Sequence, residues 1–463
     1  MYPWPLHRRA HLPILGLLAL MGGCVGNQGV RSTIPTIKPG DIAGRYVLVM
    51  GDADMNAGAV GPLFTRPPEV DQLTVIGLPI ASSDASPLGW NTRVAQVRAG
   101  NSVLGPPGAI AVTTDGMRAY VCEPVRPIPP GAQGPVQPEP GDQITPIDLT
   151  DPSQPAGLAP IRVGLSPVSV DVHPGGEFVA IGTAEPGQQI ALLRVGREDE
   201  TPLAFPLLGI DDDRAEVGAI AWHPTGRYLA VALPARRRVV LYEFSTSQEN
   251  ALPALAPWGE PVTLPARPLA IRFTPGGRHL LVTCAGAPAE PGQGPLPASD
   301  VGALVVLALS DVPTQTNQSS GELGITVAHS ISDNQPLGQM PEGLAVGPDG
   351  VSVAIASWGS QAQPARGPAR PQGGEVRLFS LSPRTGRLSP LAQRPARGVP
   401  TGVAFDTSGK HLLVAQLRST DPSAIDGELT FFRIARTVNK TTLYEAGFVV
   451  GIGAGPHGNL IVK

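Results

Sequence analysis

GRYVLVMG at 44–51, GMRAYVCE at 116–123, GEFVAIGT at 176–183, GRYLAVAL at 226–233, GRHLLVTC at 277–284, GVSVAIAS at 350–357 and GKHLLVAQ at 409–416 are seven versions of one phrase. Each opens on a glycine, passes one or two residues, and continues as an apolar run that begins near an aromatic or a histidine. Ahead of six of them lies a second apolar segment: AIAVTTD (109–115), VSVDVHPG (168–175), AIAWHPT (219–225), LAIRFTPG (269–276), GLAVGPD (343–349) and GVAFDTS (402–408). The residues between the two runs are Pro, Asp, Thr, Ser and Gly, which favour tight reversals, so each pair reads as a β-hairpin.

The anchoring glycines at 44, 116, 176, 226, 277, 350 and 409 are 72, 60, 50, 51, 73 and 59 residues apart. That leaves room in each unit for two further strands. The third is visible as QLTVIGL (72–78), QITPIDL (143–149), QIALLRV (189–195), RVVLYEF (238–244), GALVVLAL (302–309), GEVRLFSL (374–381) and GELTFFRI (427–434). Four-stranded units at this spacing, each able to bury its faces only against its neighbours, imply an all-β, seven-bladed β-propeller over residues 44–463. The first unit lacks the strand before its glycine, and the chain ends GPHGNLIVK at 455–463. This C-terminal stretch is expected to join the N-terminal blade as its innermost strand, closing the ring and removing two open sheet edges.

Composition agrees. There are 56 glycines and 53 prolines in 463 residues, nearly a quarter of the chain, which excludes a mostly helical protein. Hydrophobic residues make up 42%, enough for a sizeable core, and a length-based expectation of about three domains gives way to the repeat. The net charge of −4 offers no general attraction to nucleic acid or to anionic membranes.

Ahead of the repeat, His7, Arg8, Arg9 and His11 precede a short apolar run from Leu12 to Leu20. That run is too short to span a bilayer, which needs ~20 residues, and it reads as an export signal. Met21-Gly22-Gly23-Cys24 resembles a bacterial lipobox, although the usual Leu three places before the cysteine is Met21 here. The resemblance implies a lipoprotein signal peptide over 1–23, acylation of Cys24, and a flexible tether over 24–43. Val25 after Cys24 resembles outer-membrane sorting in a two-membrane bacterium. The expected address is the cell envelope, with the membrane reached through the lipid anchor alone. Cys122 and Cys284 fall on blades 2 and 5, too far apart for a disulfide, which needs Cα atoms within ~7 Å.

From Pro107 to Glu123 the pattern PxxxAVxxDGxxxYVxx resembles the YVTN-type repeat of surface-protein and lactonase-like seven-bladed propellers. In that fold the inner strand starts, and the second strand ends, at one rim of the central channel, here called the top. Around the ring, the inner strands then start at His457, Gly108, Val168, Gly218, Leu269, Glu342 and Thr401. The second strands end at Gly51, Glu123, Thr183, Leu233, Cys284, Ser357 and Gln416. Blades 3 to 5 are mostly apolar at these positions. His457, Glu342, Glu123, Ser357, Thr401, Gln416 and the adjacent Asp52 form a polar crescent, a candidate ligand site. The loops 51–71, 123–142, 285–301 and 358–373, long and rich in Pro and Gly, are expected over the same face.

His173 and His223 share one turn position, and His279 and His411 share the place held by Tyr46 and Tyr228, so these four have roles in the repeat. Only His329 and His457 lack one. Asp52, Asp54 and Asn56 alternate like the start of a calcium loop, but the glycine comes one place late and no Glu closes twelve residues. The stretch reads as a turn, with calcium as the alternative, and no other cofactor is expected. Asp211, Asp212 and Asp213 with Glu216 could hold a cation, but Arg236, Arg237 and Arg238 are expected on the same blade and rim, so internal charge pairing is the expectation. No G-x-S-x-G, HExxH, CxxC or phosphate loop is present, which disfavours nucleophilic and nucleotide-dependent catalysis. The leading expectation is a binding or protein-interaction module whose top face takes an envelope protein or a small polar ligand. The alternative, carried by the lactonase resemblance, is a hydrolase in which His457 and Glu342 or Glu123 activate water against a sugar lactone. A metal- or quinone-dependent dehydrogenase propeller would need a cofactor site that the sequence does not offer.

Overall fold

The glycine-anchored phrases become the second strands of seven antiparallel sheets, in a computed structural model of the chain. It describes residues 37–52, 71–80, 94–100, 102, 108–127, 139–210, 215–246, 252–285, 302–310, 313–317, 323–358, 374–417 and 426–463. Of residues 313–317, 323–326 and 457–460 only the backbone is described. Blade 1 runs from the channel outward as Pro456–Val462, Tyr46–Gly51, Gln72–Gly77 and Val94–Arg98. The inner strands of blades 2 to 7 are Ile110–Val112, Ser169–Val172, Ala219–Trp222, Arg267–Phe273, Gly343–Val346 and Val399–Phe405. The outermost strand of blade 2 is split into Ala156–Gly157 and Ile161–Arg162, and that of blade 4 into Ala254–Pro257 and Val262–Thr263. Blade 5 carries an added hairpin, Pro313–Asn317 with Leu323–Val327, between its third and fourth strands. The repeat does not announce this hairpin, because among the described residues no other blade has it.

Strand geometry explains the unbroken apolar runs. Successive side chains of a strand point to opposite faces, and in a propeller each face meets a different blade. Val47 and Val49 pack in one cluster with Leu413 and Phe431 of blade 7. Tyr46, Leu48 and Met50 pack in another with Val121 and Ile147 of blade 2. All six residues of Tyr46–Gly51 are buried. Each large side chain so enclosed contributes roughly 1.5–3 kcal/mol.

The anchoring glycines also stitch neighbouring blades together. Tyr46 Oη donates to the Gly116 carbonyl at 2.6 Å. The turn histidines do the same one blade on: His173 Nε2 meets Gly226 O at 3.1 Å and His223 Nε2 meets Gly277 O at 2.9 Å. Because Nε2 faces a carbonyl while Nδ1 accepts from the backbone N–H of Gly175 or Thr225, the proton sits on Nε2 in both rings. Gly226 and Gly277 have φ of +73° and +71°, and a Cβ at either would overlap the imidazole that bonds it. His329 has a structural partner as well, Trp258 O at 2.7 Å, with Trp258 stacked on Tyr228.

The ring closes as expected. Pro456–Val462 pairs antiparallel with Tyr46–Gly51, Val47 opposite Val462 and Gly51 opposite Pro456, with one bulge between Val49 and Met50. Residues 37–43, which composition assigns to the tether, belong instead to the packed body: Ile37 and Ile42 join the cluster of Val47, Val49 and Phe431. The Ala43 N–H donates to Asp406 Oδ2 at 3.1 Å. Burial raises the Asp406 carboxyl, but bonds from His411, Ser408 and Ala43 outweigh it and hold it below the usual carboxylate range. Cys122 and Cys284 are free and buried on separate blades, and burial pushes the Cys284 thiol up to about 12 and that of Cys122 higher still.

Candidate ligand site at the channel rim

Glu342 follows Pro341, just before the inner strand of blade 6. The chain reaches it through Met340, which holds a left-handed φ of +46° without being glycine. The reversal is pinned from the second strand of the same blade: Trp358 N donates to Gln339 O at 3.1 Å, and Glu342 N to Met340 O at 3.0 Å. Gly343 pairs with Ala356, so Glu342 stands opposite Ser357, one place further along. Met340, Trp358, Val399 and Leu417 form an apolar cluster bridging blades 6 and 7 beside them.

Glu342 is 6% exposed and Ser357 is 0% exposed. Burial pushes the Glu342 carboxyl from 4.5 up to about 8, with a hydrogen bond from the Trp358 side chain opposing the rise. At neutral pH this carboxyl keeps its proton and is a hydrogen-bond donor as well as an acceptor. Among the described residues, Glu342 Oε2 and Ser357 Oγ are buried without a hydrogen-bond partner, while the Trp358 indole interacts with the Glu342 carboxyl. A buried polar atom left unpaired costs about 1–3 kcal/mol, so two facing each other on one short stretch of rim is a concentrated departure from the norm.

The rest of the crescent divides. Thr401 is fully buried, and its Oγ1 donates to Pro456 O at 2.7 Å, locking blade 7 to the closing strand. Gln416 Nε2 donates to Glu428 Oε1 at 2.8 Å, while its Oε1 accepts from Gly398 N at 3.4 Å. Asp52 is 0% exposed, and its backbone N–H donates to Gly455 O at 2.8 Å. Thr401 and Asp52 sit in the join between the chain's two ends, and Gln416 is bonded within blade 7. Glu123 stands alone on blade 2, half-buried. Burial first, and the neighbouring Asp142 second, push it up to about 7 against the pull of Arg126. His457 lies on the closing strand opposite Met50, and its side chain falls outside the described residues. Cys24, Asp54, Asn56 and Asp211 to Asp213 also fall outside them. Among the described residues no group of three or more His, Cys, Asp or Glu could hold a metal ion.

The structure thus brings Glu342 and Ser357 together and adds Trp358, which sequence reasoning passed over. The signal was there: Trp358 directly follows the second strand of blade 6, where the other blades have Asp52, Pro124, Ala184, Pro234, Ala285 and Leu417. Asp171 and Arg272 were missed too. They occupy a position on the inner strands where most blades carry alanine, and the rim-focused comparison does not reach it.

No family model matches the chain, and no curated protein matches it. Solved structures do. The periplasmic gluconolactonase of Pseudomonas aeruginosa is similar over 90% of this chain and 99% of its own, at 16% identity and a TM-score of 0.53. A 6-phosphogluconolactonase candidate from Bacteroides uniformis covers 90% of this chain and 100% of its own, at 12% identity and a TM-score of 0.53. A hypothetical selenium-binding protein from Sulfolobus tokodaii covers 91% of this chain and 94% of its own, at 12% identity and a TM-score of 0.57. Likeness at this level of identity concerns the backbone, and on it, together with the seven sheets and their closure, the chain is a seven-bladed β-propeller similar in structure to lactonase-like propellers.

Proposed function

We propose that the protein is an exported, lipid-anchored propeller that captures a small polar ligand at the rim between blades 6 and 7. The observation that carries this reading is the pair of buried oxygens without a partner among the described residues, Glu342 Oε2 and Ser357 Oγ. A ligand rich in hydroxyl or carbonyl oxygens would supply the missing partners, and the apolar Met340, Val399 and Leu417 beside them keep water from competing. The address rests on the charged, apolar and small-residue order that ends at Cys24.

A second reading, hydrolysis of a sugar lactone, is favoured by the Glu342 carboxyl, whose pKa of about 8 suits a general acid near neutral pH. One of the structurally similar proteins is itself a periplasmic gluconolactonase. One experiment separates the two readings. Wild type, Glu342→Gln and Ser357→Ala are tested with glucono-1,5-lactone for turnover and with glucose for binding. Capture without turnover, weakened about 10-fold in the variants, supports the binding reading. Turnover that falls ~100-fold or more in Glu342→Gln supports the hydrolase. Variants indistinguishable from wild type in both assays refute the site. The anchor is tested by Cys24→Ser, which should move the protein from the membrane fraction to the soluble one and end incorporation of labelled fatty acid. A variant still membrane-bound after a high-salt wash refutes it.

A further inference from the structure

A cavity of ≈ 630 Å³ occupies the channel away from the Glu342 rim, among the hairpin turns that carry Pro224, Pro275 and Pro348. One ring of seven equivalent positions lines it. Pairing with the fourth residue after each anchoring glycine defines the ring, from blade 1 to blade 7, as Ile461, Ala111, Asp171, Ala221, Arg272, Ala345 and Ala404. All seven residues line the cavity. The repeat prefers a small apolar residue here, and two blades depart from it with opposite charges. Asp171 and Arg272 are separated by one blade, whose alanine leaves the space between them open. Lys463 lines the same cavity; burial lowers its pKa, and the Asp171 charge opposes that.

Asp171 is held rigidly. Its Oδ2 accepts the Trp222 backbone N–H at 2.7 Å and its Oδ1 that of Val172 at 3.0 Å, so the carboxyl is fixed to blades 3 and 4; burial raises its pKa, against the pull of the Arg272 charge. Trp222 and Phe273 line the cavity as well, and Trp222 Nε1 is buried without a partner. Charged groups are costly to bury even in part, and propeller closure does not need these two, because alanine serves at four of the other ring positions.

We propose that this cavity binds a small zwitterion of the amino-acid type, its carboxylate on Arg272 and Lys463, its ammonium on Asp171, and its apolar side chain against Trp222 and Phe273. The cavity volume lies within the usual ~300–1,000 Å³ range of small-molecule sites. Asp406 also lines the cavity, but its oxygens are taken up by Ala43 N–H, Ser408 and His411. Asp171, Arg272 and Lys463 present both signs of charge, which matches a ligand with both charges better than a simple acid or amine. The site is separate from the rim at Glu342 and stands independently of any function there.

The test uses L-phenylalanine, 3-phenylpropionate, which lacks the ammonium, and 2-phenylethylamine, which lacks the carboxylate, with binding followed by calorimetry on the mature protein. Phenylalanine is expected to bind about 10-fold or more tightly than either analogue. Arg272→Ala should weaken phenylalanine and phenylpropionate but not phenylethylamine. Asp171→Asn should weaken phenylalanine and phenylethylamine but not phenylpropionate. Arg272→Ala installs the residue this ring otherwise prefers, and an unchanged melting temperature shows that the fold is intact. Arg272→Lys, which keeps the charge, should restore part of the affinity. Glu342→Gln should leave all three affinities unchanged, and a loss there would place binding at the rim and overturn the proposal. Equal affinity for the three probes, or no binding of phenylalanine at ~10 mM, would also overturn it.

Discussion

Replacing Glu342 by Gln should stabilise the protein, and by an amount that grows with pH. The carboxyl titrates near 4.5 in an ordinary setting and at about 8 where it is buried. Between those values the folded chain holds a proton that the unfolded chain releases. Stability from this group is therefore fully present below pH 4.5 and is lost as pH rises through about 8. Each pKa unit corresponds to ~1.4 kcal/mol, which sets the loss at roughly 5 kcal/mol for so deeply buried a group. Glutamine has nearly the same volume, leaves a comparable unpaired amide and does not titrate. The difference between Glu342→Gln and wild type should be close to zero near pH 4.5 and should approach several kcal/mol above about pH 8. Glu123, also pushed up, titrates identically in both proteins and cancels from the difference. Urea unfolding followed by tryptophan fluorescence, repeated from about pH 4.5 to about pH 9, reads the gap directly. Parallel midpoints across that range would show that Glu342 is solvated, and the rim site would lose its physical basis.

Other outcomes follow from the packing. Removing residues 455–463 takes away the partner of Tyr46–Gly51 and should abolish the cooperative melt; a truncated protein that melts at the wild-type temperature would disprove closure. Thr401→Val deletes the bond to Pro456 O and should cost about 1 kcal/mol by thermal unfolding, with no effect on ligand capture at the rim. Gly226→Ala drives a Cβ into His173 at a φ of +73° and should destabilise the fold by more than the ~1 kcal/mol typical of a mild substitution, whereas Gly187→Ala, at +71° with open space around it, should be milder. Cys122 and Cys284 should ignore a thiol reagent in the native protein and react once it is denatured without reductant; a peptide linking the two would contradict their separation.

The blade count, the hairpins and the closing strand were legible in the sequence because they rest on local regularities. A strand buried on both faces must be apolar throughout, a tight reversal needs glycine at positive φ, and each unit repeats both demands at a readable spacing. The added hairpin at 313–327 and the packed residues 37–43 escaped because neither recurs. The rim shows the same division. Sequence placed Glu342, Ser357, Thr401, Gln416 and Asp52 at neighbouring ring positions, yet could not separate those that hold the ring together from those left without partners. Thr401 is satisfied by a carbonyl 55 residues away, at the far end of the chain. Glu342 Oε2 has no partner among the described residues, although the strand that follows it is fully paired. Asp171 and Arg272 are unremarkable inside VSVDV and LAIRF, and become an opposed pair only when two blades bring them to one level of a closed channel. Repeat periodicity is a property of a strand and its immediate neighbours along the chain. Hydrogen-bond satisfaction, dielectric environment and charge complementarity depend on which distant segments enclose a side chain, and those were decided only when the ring had closed.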